Sequence, residues 1–184
     1  MHRGFHSMTL RNHPDVILFF RAAQKYCSLV ESPKADKLDK EIWLENVLAA
    51  LAQLYATAHT LPKMESQETG QIPGDLFHVG TDEWRSIYQS VAKTLGEARA
   101  YWCYFDPNQP PSSKDEPVLE DLADDLADIY RDVKPALHAW ETNEDKYIPE
   151  MIVACGDTLF VSHWGRHAVN AIRALHPLAL LRGL

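Results

Sequence analysis

The spacing of its helix breakers constrains this chain more than any other feature. Prolines and glycines divide the sequence into long segments whose apolar residues recur every three or four positions. PDVILFFRAAQKYCSLVES opens with Pro14 as a first-turn residue and carries Val16, Phe19, Phe20, Ala23, Cys27 and Val30 at helical spacing. KEIWLENVLAALAQLYATAHTL repeats the pattern through Trp43, Leu44, Val47, Leu48, Leu51, Leu54, Tyr55 and Ala58, and Pro62 ends it. Thr81 reads as an N-cap before DEWRSIYQSVAKTLGEARAYWCYF, with Asp82 and Glu83 at the positive end of the helix dipole. Pro117 opens the next segment, and PEMIVACGDTLFVSHWGRHAVNAIRALH closes the series near Pro177.

The expected helices therefore cover about 14–32, 39–61, 82–105, 117–141 and 149–176, after a weakly structured start over 1–12. Two longer loops, KMESQETGQIPGDLFHVG and DPNQPPSSKDEP, separate them, and no strand pattern competes. The fold class this predicts is all-α, a single-domain bundle of about five helices over 1–184. A hydrophobic content of 46% and five tryptophans are enough for a packed core without staples.

The three cysteines, Cys27, Cys103 and Cys155, are scattered and form no CxxC pair. MHRGFHSMTLRNHPDV lacks the continuous apolar run of a secretory signal, and no segment is long and apolar enough to span a bilayer. The expectation is a cytoplasmic protein with reduced thiols, Cys27 and Cys103 serving as packing residues. No GxSxG, phosphate-cradling glycine loop or HExxH is present.

Charge is concentrated. Residues 115–132 hold eight acids against one arginine, a local charge of −7, whereas the remainder has 18 acids and 17 bases. That balance argues against nucleic-acid binding, which needs cationic charge facing phosphates. Within EDLADDLADIYRDV, Asp121, Asp124, Asp125, Asp128 and Asp132 fall in a helical sector of roughly 100°. Leu119, Leu122, Leu126, Ile129, Val133 and Leu137 centre roughly 130° away. The bland reading is a solvated or salt-bridged face. Yet Asp121/Asp125, Asp124/Asp128 and Asp128/Asp132 are like-charge pairs at i,i+4, each costing about 0.2–0.5 kcal/mol. Something positive is therefore expected opposite them: a neighbouring helix, a protein partner with a basic surface, or a divalent cation. Asp124-Asp125-x-x-Asp128 is a DDxxD, and Asp121, Asp124, Asp125 and Asp128 could hold Mg²⁺ or Mn²⁺ for phosphate-ester or nucleotide hydrolysis. Similar arrays occur in isoprenoid synthases and all-α nucleotide pyrophosphohydrolases. The complementary second motif is missing here, because the last segment offers only Glu150 and Asp157, seven apart.

The last segment also places His163 and His167 at i,i+4, at the edge of an apolar stripe of Phe160, Trp164, Ala168, Ala171 and Leu175. Two imidazoles at that spacing can take Zn²⁺, Ni²⁺ or Fe²⁺, with His59 as the candidate third ligand. Such a trio resembles the damage-inducible four-helix metal proteins. The alternative is that backbone carbonyls or carboxylates satisfy the ring nitrogens. Asp157 projects onto the apolar side and would need a partner there, and Gly165 would permit the close approach of another helix.

YCSLVE, LAQLYATAHTLP, the W-x-x-x-Y of Trp84 and Tyr88, YWCYFDP, LADDLADIYRD-x-K and HWGRHAVNAIRALH together resemble the bacterial domain of unknown function family 5063 over nearly the whole chain. The resemblance implies a helical fold, a bacterial source and a cytoplasmic location, and transfers no catalytic residue or oligomeric state. The leading functional expectation is a non-enzymatic protein-binding or regulatory module. The metal-dependent hydrolase and the histidine-based metal bundle stand as alternatives.

Overall fold

The computed structural model describes residues 9–34, 37–64, 78–103 and 116–180. Most of the expected weak start and both expected loops lie outside these residues; of the start, Leu10–Asn12 forms one 3-10 turn. The helices are α1 (Pro14–Glu31), α2 (Lys37–His59), α3 (Thr81–Leu95), α4 (Leu122–Glu141), α5 (Ile148–Val153), α6 (Leu159–Ser162) and α7 (Trp164–Leu180). An antiparallel strand pair, β1 (Ala100–Cys103) and β2 (Val118–Asp121), stands between α3 and α4. No described helix is long and apolar enough to cross a membrane.

The periodic apolar positions do what their spacing demands. Val16, Phe19, Phe20, Ala23, Tyr26, Cys27 and Val30 of α1 are buried, as are Trp43, Leu44, Val47, Leu51, Leu54 and Ala58 of α2. α1 packs on α2, α2 on α7, and α4 lies at the centre against α1, α3, α5 and α7. Buried polar groups on these helices find partners across them. Tyr26 donates to the Leu126 carbonyl at 2.7 Å, and the Trp43 indole donates to that of Leu29 at 2.9 Å.

Three expected boundaries are corrected. Gly80, not Thr81, is the N-cap of α3. That helix stops at Leu95 because Gly96 adopts φ 63°, a left-handed value that costs glycine little. Beyond it Gly96–Arg99 forms a 3-10 turn and Ala100–Cys103 forms β1 instead of more helix, while the expected helical positions 104 and 105 lie outside the described residues. The segment after Pro117 is likewise β2, pairing Tyr101 with Glu120 and Ala100 with Asp121. Asp121 therefore sits not inside α4 but at its N-cap, its side chain accepting from the Ala123 N–H at 2.9 Å.

The last expected helix is broken. α5 runs into a π turn, Ala154–Thr158, then into the four-residue α6, and His163 interrupts the helical path at φ −139° and ψ −88° before α7 begins. One backbone carbonyl of the wide turn takes a side-chain donor, and a thiol of the turn is tied to α4. The buried Trp164 indole donates to the Cys155 carbonyl at 3.0 Å, and the Cys155 thiol donates to the Asp132 carbonyl at 3.3 Å. The extra residue shifts the register, so Asp157 is exposed beside Lys63 at 3.5 Å, off the apolar side. Gly165 serves this junction. A Cβ there would lie 2.1 Å from the carbonyl oxygen of Phe160 in the preceding turn, so the close approach is local and not to another helix.

Candidate metal centre

α4 and α7 run antiparallel, and their facing turns bring the acidic stripe to the histidine pair. His163 sits opposite Asp132 and His167 opposite Asp125, with Asp128 between them. The stripe is not a solvated face. Because α3 covers one side of α4 and α7 another, the Asp125, Asp128 and Asp132 side chains are only 4%, 12% and 10% exposed.

Burying a carboxylate is costly unless donors meet it, and described donors meet four of the six oxygens. Asp125 accepts from the Tyr101 hydroxyl on Oδ2 at 2.5 Å and from His167 Nδ1 on Oδ1 at 2.7 Å. Asp132 Oδ2 accepts from His163 Nδ1 at 2.6 Å. Because an ionised carboxylate can only accept, both Nδ1 atoms carry the hydrogen. In the neutral ring each Nε2 is then a bare lone pair, the ligating form. Asp128 Oδ1 accepts from the Trp84 indole at 2.8 Å and pairs with Arg131 at 3.1 Å.

Asp128 Oδ2 is different. It faces His163 Nε2 and His167 Nε2, each at 3.7 Å, and no described side chain donates to it within hydrogen-bond distance. Asp128, His163 and His167 form the one group of three metal-ligating side chains among the described residues, each offering a ligand atom within 4.8 Å of the others. A separation of 3.7 Å is too long for a hydrogen bond. Ligands about 2.1 Å from a shared ion stand about 3.4 Å apart in a tetrahedron and about 3.0 Å apart at octahedral right angles. The spacing is nearer the tetrahedral value.

Burial and crowded negative charge set the electrostatics of the cluster. The hydrogen bond to Asp125 holds the His167 imidazole above its ordinary value, against the opposing effect of burial. Burial pushes the Asp132 carboxyl up, while His163 and Arg131 pull it back. Asp124, half-buried one turn before Asp128, is raised by burial and then by the charges of Asp128 and Asp125.

The structure thus joins two groups that the sequence reading kept apart. Asp128, His163 and His167 converge. His59 is exposed at the end of α2 and is not part of the trio. The acidic quartet does not meet at one point: Asp121 caps α4 and accepts from Tyr88 at 3.1 Å, while both oxygens of Asp125 are taken. Sequence reasoning missed Trp84, Tyr88, Arg99, Tyr101 and the orienting role of Asp132. Trp84 and Tyr88 carried a signal. Their i,i+4 spacing on a polar helix stacks the rings, with centroids 5.5 Å apart, and aims both polar tips at the stripe. Arg99 then joins Tyr88 to Asp121, donating to the Tyr88 hydroxyl at 3.1 Å and standing 3.5 Å from the carboxylate.

Comparison with known proteins gives a family and a fold. Residues 12–180 match the domain of unknown function family DUF5063, and the chain belongs to it. No curated protein matches significantly. Among solved structures, protein BF1032 from Bacteroides fragilis is similar, with a TM-score of 0.74 and 23% identity. The match covers 93% of this chain and 95% of that one, and it supports the helical architecture alone.

Proposed function

We propose that this chain is a transition-metal-binding helical bundle whose centre is Asp128, His163 and His167. The observation that carries the reading is the convergence of Asp128 Oδ2 with two imidazole Nε2 atoms at 3.7 Å, with each imidazole oriented through Nδ1 by its own carboxylate. Imidazole with one carboxylate suits Zn²⁺, Fe²⁺ or Ni²⁺ better than Mg²⁺, and the near-tetrahedral spacing favours Zn²⁺. Three protein ligands leave a fourth position for water or a substrate atom. A site of this kind can polarise a bound oxygen or lower the pKa of bound water.

Charge supports the same reading. Asp125, Asp128 and Asp132 against Arg131 leave two negative charges when both imidazoles are neutral, which one divalent cation neutralises. A basic partner surface would instead need carboxylates presented to solvent, and Asp125 and Asp128 are buried.

Elemental analysis of the chain after chelator stripping and Zn²⁺ reloading tests the proposal. About one Zn²⁺ per chain is expected, and the His163→Ala, His167→Ala double variant should hold none. Wild type that takes up no metal, or a double variant that retains it, would refute the reading.

A further inference from the structure

We infer that Tyr101 is a positioning residue for the metal centre, and that through Asp125 and His167 it couples the β1–β2 strand pair to metal binding. The inference rests on the metal reading above. The chain of contacts is short and continuous. The Tyr101 hydroxyl donates to Asp125 Oδ2 at 2.5 Å, Asp125 Oδ1 accepts from His167 Nδ1 at 2.7 Å, and His167 Nε2 is one of the three converging ligand atoms. Tyr101 lies on β1, outside the two helices that bear the ligands. Its strand partner Glu120 adjoins Asp121, the N-cap of α4, so the strand pair is anchored to the start of the ligand-bearing helix.

The two histidine arms differ in this respect. Asp132 is held locally, beside Arg131 and under the Cys155 turn, and receives no tyrosine hydroxyl from a described residue. Asp125 has Tyr101 as the sole described donor to its second oxygen, and its side chain is 4% exposed, so water cannot readily replace a lost bond. Removing the hydroxyl would leave a buried carboxylate oxygen unpaired and free the carboxylate plane to turn. His167 would then lose the contact that fixes its tautomer and ring orientation. Removing a group that orients a metal-bound imidazole typically costs about 10–100-fold in metal affinity. By linkage, a strand pair that strengthens metal binding must itself be strengthened by metal to the same extent.

The test uses the full chain and its Tyr101→Phe variant, with Zn²⁺ affinity measured by chelator competition and amide exchange followed at 100–103 and 118–121. Zn²⁺ should slow exchange of the strand pair in wild type. Y101F should bind Zn²⁺ about 10–100-fold more weakly, lose most of that Zn²⁺-dependent protection, and show altered visible bands when loaded with Co²⁺. A purely structural role would lower the melting temperature of the stripped protein and leave the Co²⁺ bands of the loaded variant unchanged. Equal Zn²⁺ affinity in both proteins overturns the inference and leaves the metal reading intact; absence of Zn²⁺ uptake by wild type overturns both. Should Y101F not fold, exchange in wild type alone decides, since strand amides indifferent to bound Zn²⁺ contradict the coupling.

Discussion

Gly165→Ala separates what local propensity predicts from what the fold requires. On propensity alone, alanine inside a helix should stabilise by about 1 kcal/mol. The new Cβ would lie 2.1 Å from the Phe160 carbonyl oxygen and 3.0 Å from Phe160 Cδ2. A carbon–oxygen contact is comfortable at about 3.3 Å, so the α6–α7 junction must open by about 1 Å. The closest contact is backbone and cannot rotate aside, which places the cost at the upper end of the roughly 1–3 kcal/mol typical of overpacking. The net expectation is a destabilisation of about 2 kcal/mol, or a melting temperature lower by about 4–8 °C for a chain of this size. His163 sits two residues away, its N–H donating to Leu159 at 2.9 Å and its carbonyl accepting from Arg166 at 3.0 Å. Opening the junction would therefore carry His163 Nε2 away from Asp128 and abolish stoichiometric zinc. The assay is thermal or urea unfolding in chelator, to isolate the fold, followed by zinc uptake. A melting temperature in chelator equal to or above wild type would show that the junction yields, and would defeat the reasoning.

The metal-free and zinc-loaded proteins should respond oppositely to pH. Folding holds His167 above 6.5, so its stabilising contribution is fully present below 6.5 and lost as pH rises through its elevated value. Asp124 and Asp132 are raised above 3.8 and likewise favour the folded state more as pH falls through their elevated values. Stripped protein should thus lose stability as pH rises above 6.5, while the stabilisation conferred by zinc grows over the same rise because the ligands must be neutral imidazoles; parallel melting curves with and without zinc would contradict this. Trp84→Phe keeps a ring against Tyr88 but removes the indole donor from Asp128 Oδ1, and should cost about 1–3 kcal/mol in urea unfolding along with weaker zinc binding. A loss below about 0.5 kcal/mol would mean that Arg131 alone holds the carboxylate. Tyr130 stands 3.0 Å from Glu31 and 2.8 Å from Glu83, yet its hydroxyl has one proton to give. Glu83→Gln supplies the missing donor and should raise stability by about 0.5–1 kcal/mol, and a loss in urea unfolding would count against that arrangement.

Periodicity located the helices because one-sided burial leaves a trace every three or four residues, and α1, α2 and the body of α4 follow it closely. It failed where a second determinant overrode it. Tyr101, Trp102 and Cys103 continue a helical pattern, but Gly96 had already turned the chain, and its stop signal was legible. Pro117 resembles a helix start, yet β1 recruits the next four residues into a strand. The helical projection of α4 correctly set its acids apart from Leu122, Leu126, Ile129 and Val133. Of the options open for that side, a solvated face is set aside because α4 is enclosed by neighbours on several sides, so its acids meet side chains of the adjoining helices and strand. The histidine pair was legible for the same reason as the helices. Its third partner was not. Asp128 is joined to His163 and His167 across 35 residues or more of sequence, by a juxtaposition of helices that no single helical period encodes.

The union of stripe and histidines also accounts for the like-charge pairs of α4. Asp124, Asp125, Asp128 and Asp132 repel one another in an isolated helix, and burial makes the repulsion worse because it removes the water that screens it. Donors from Trp84, Tyr101, Arg131, His163 and His167 offset much of that cost, but hydrogen bonds from neutral groups do not cancel charge. Around the trio, Asp125, Asp128 and Asp132 against Arg131 leave two charges, and they can be met by protonating both imidazoles or by one divalent cation held between them. The first solution turns each Nε2 into a donor that should close to hydrogen-bond distance on Asp128, about 2.8 Å. The 3.7 Å on both sides is longer than a hydrogen bond, as it must be where two bare Nε2 lone pairs face a carboxylate oxygen, and that arrangement is what the proposed cation would bridge.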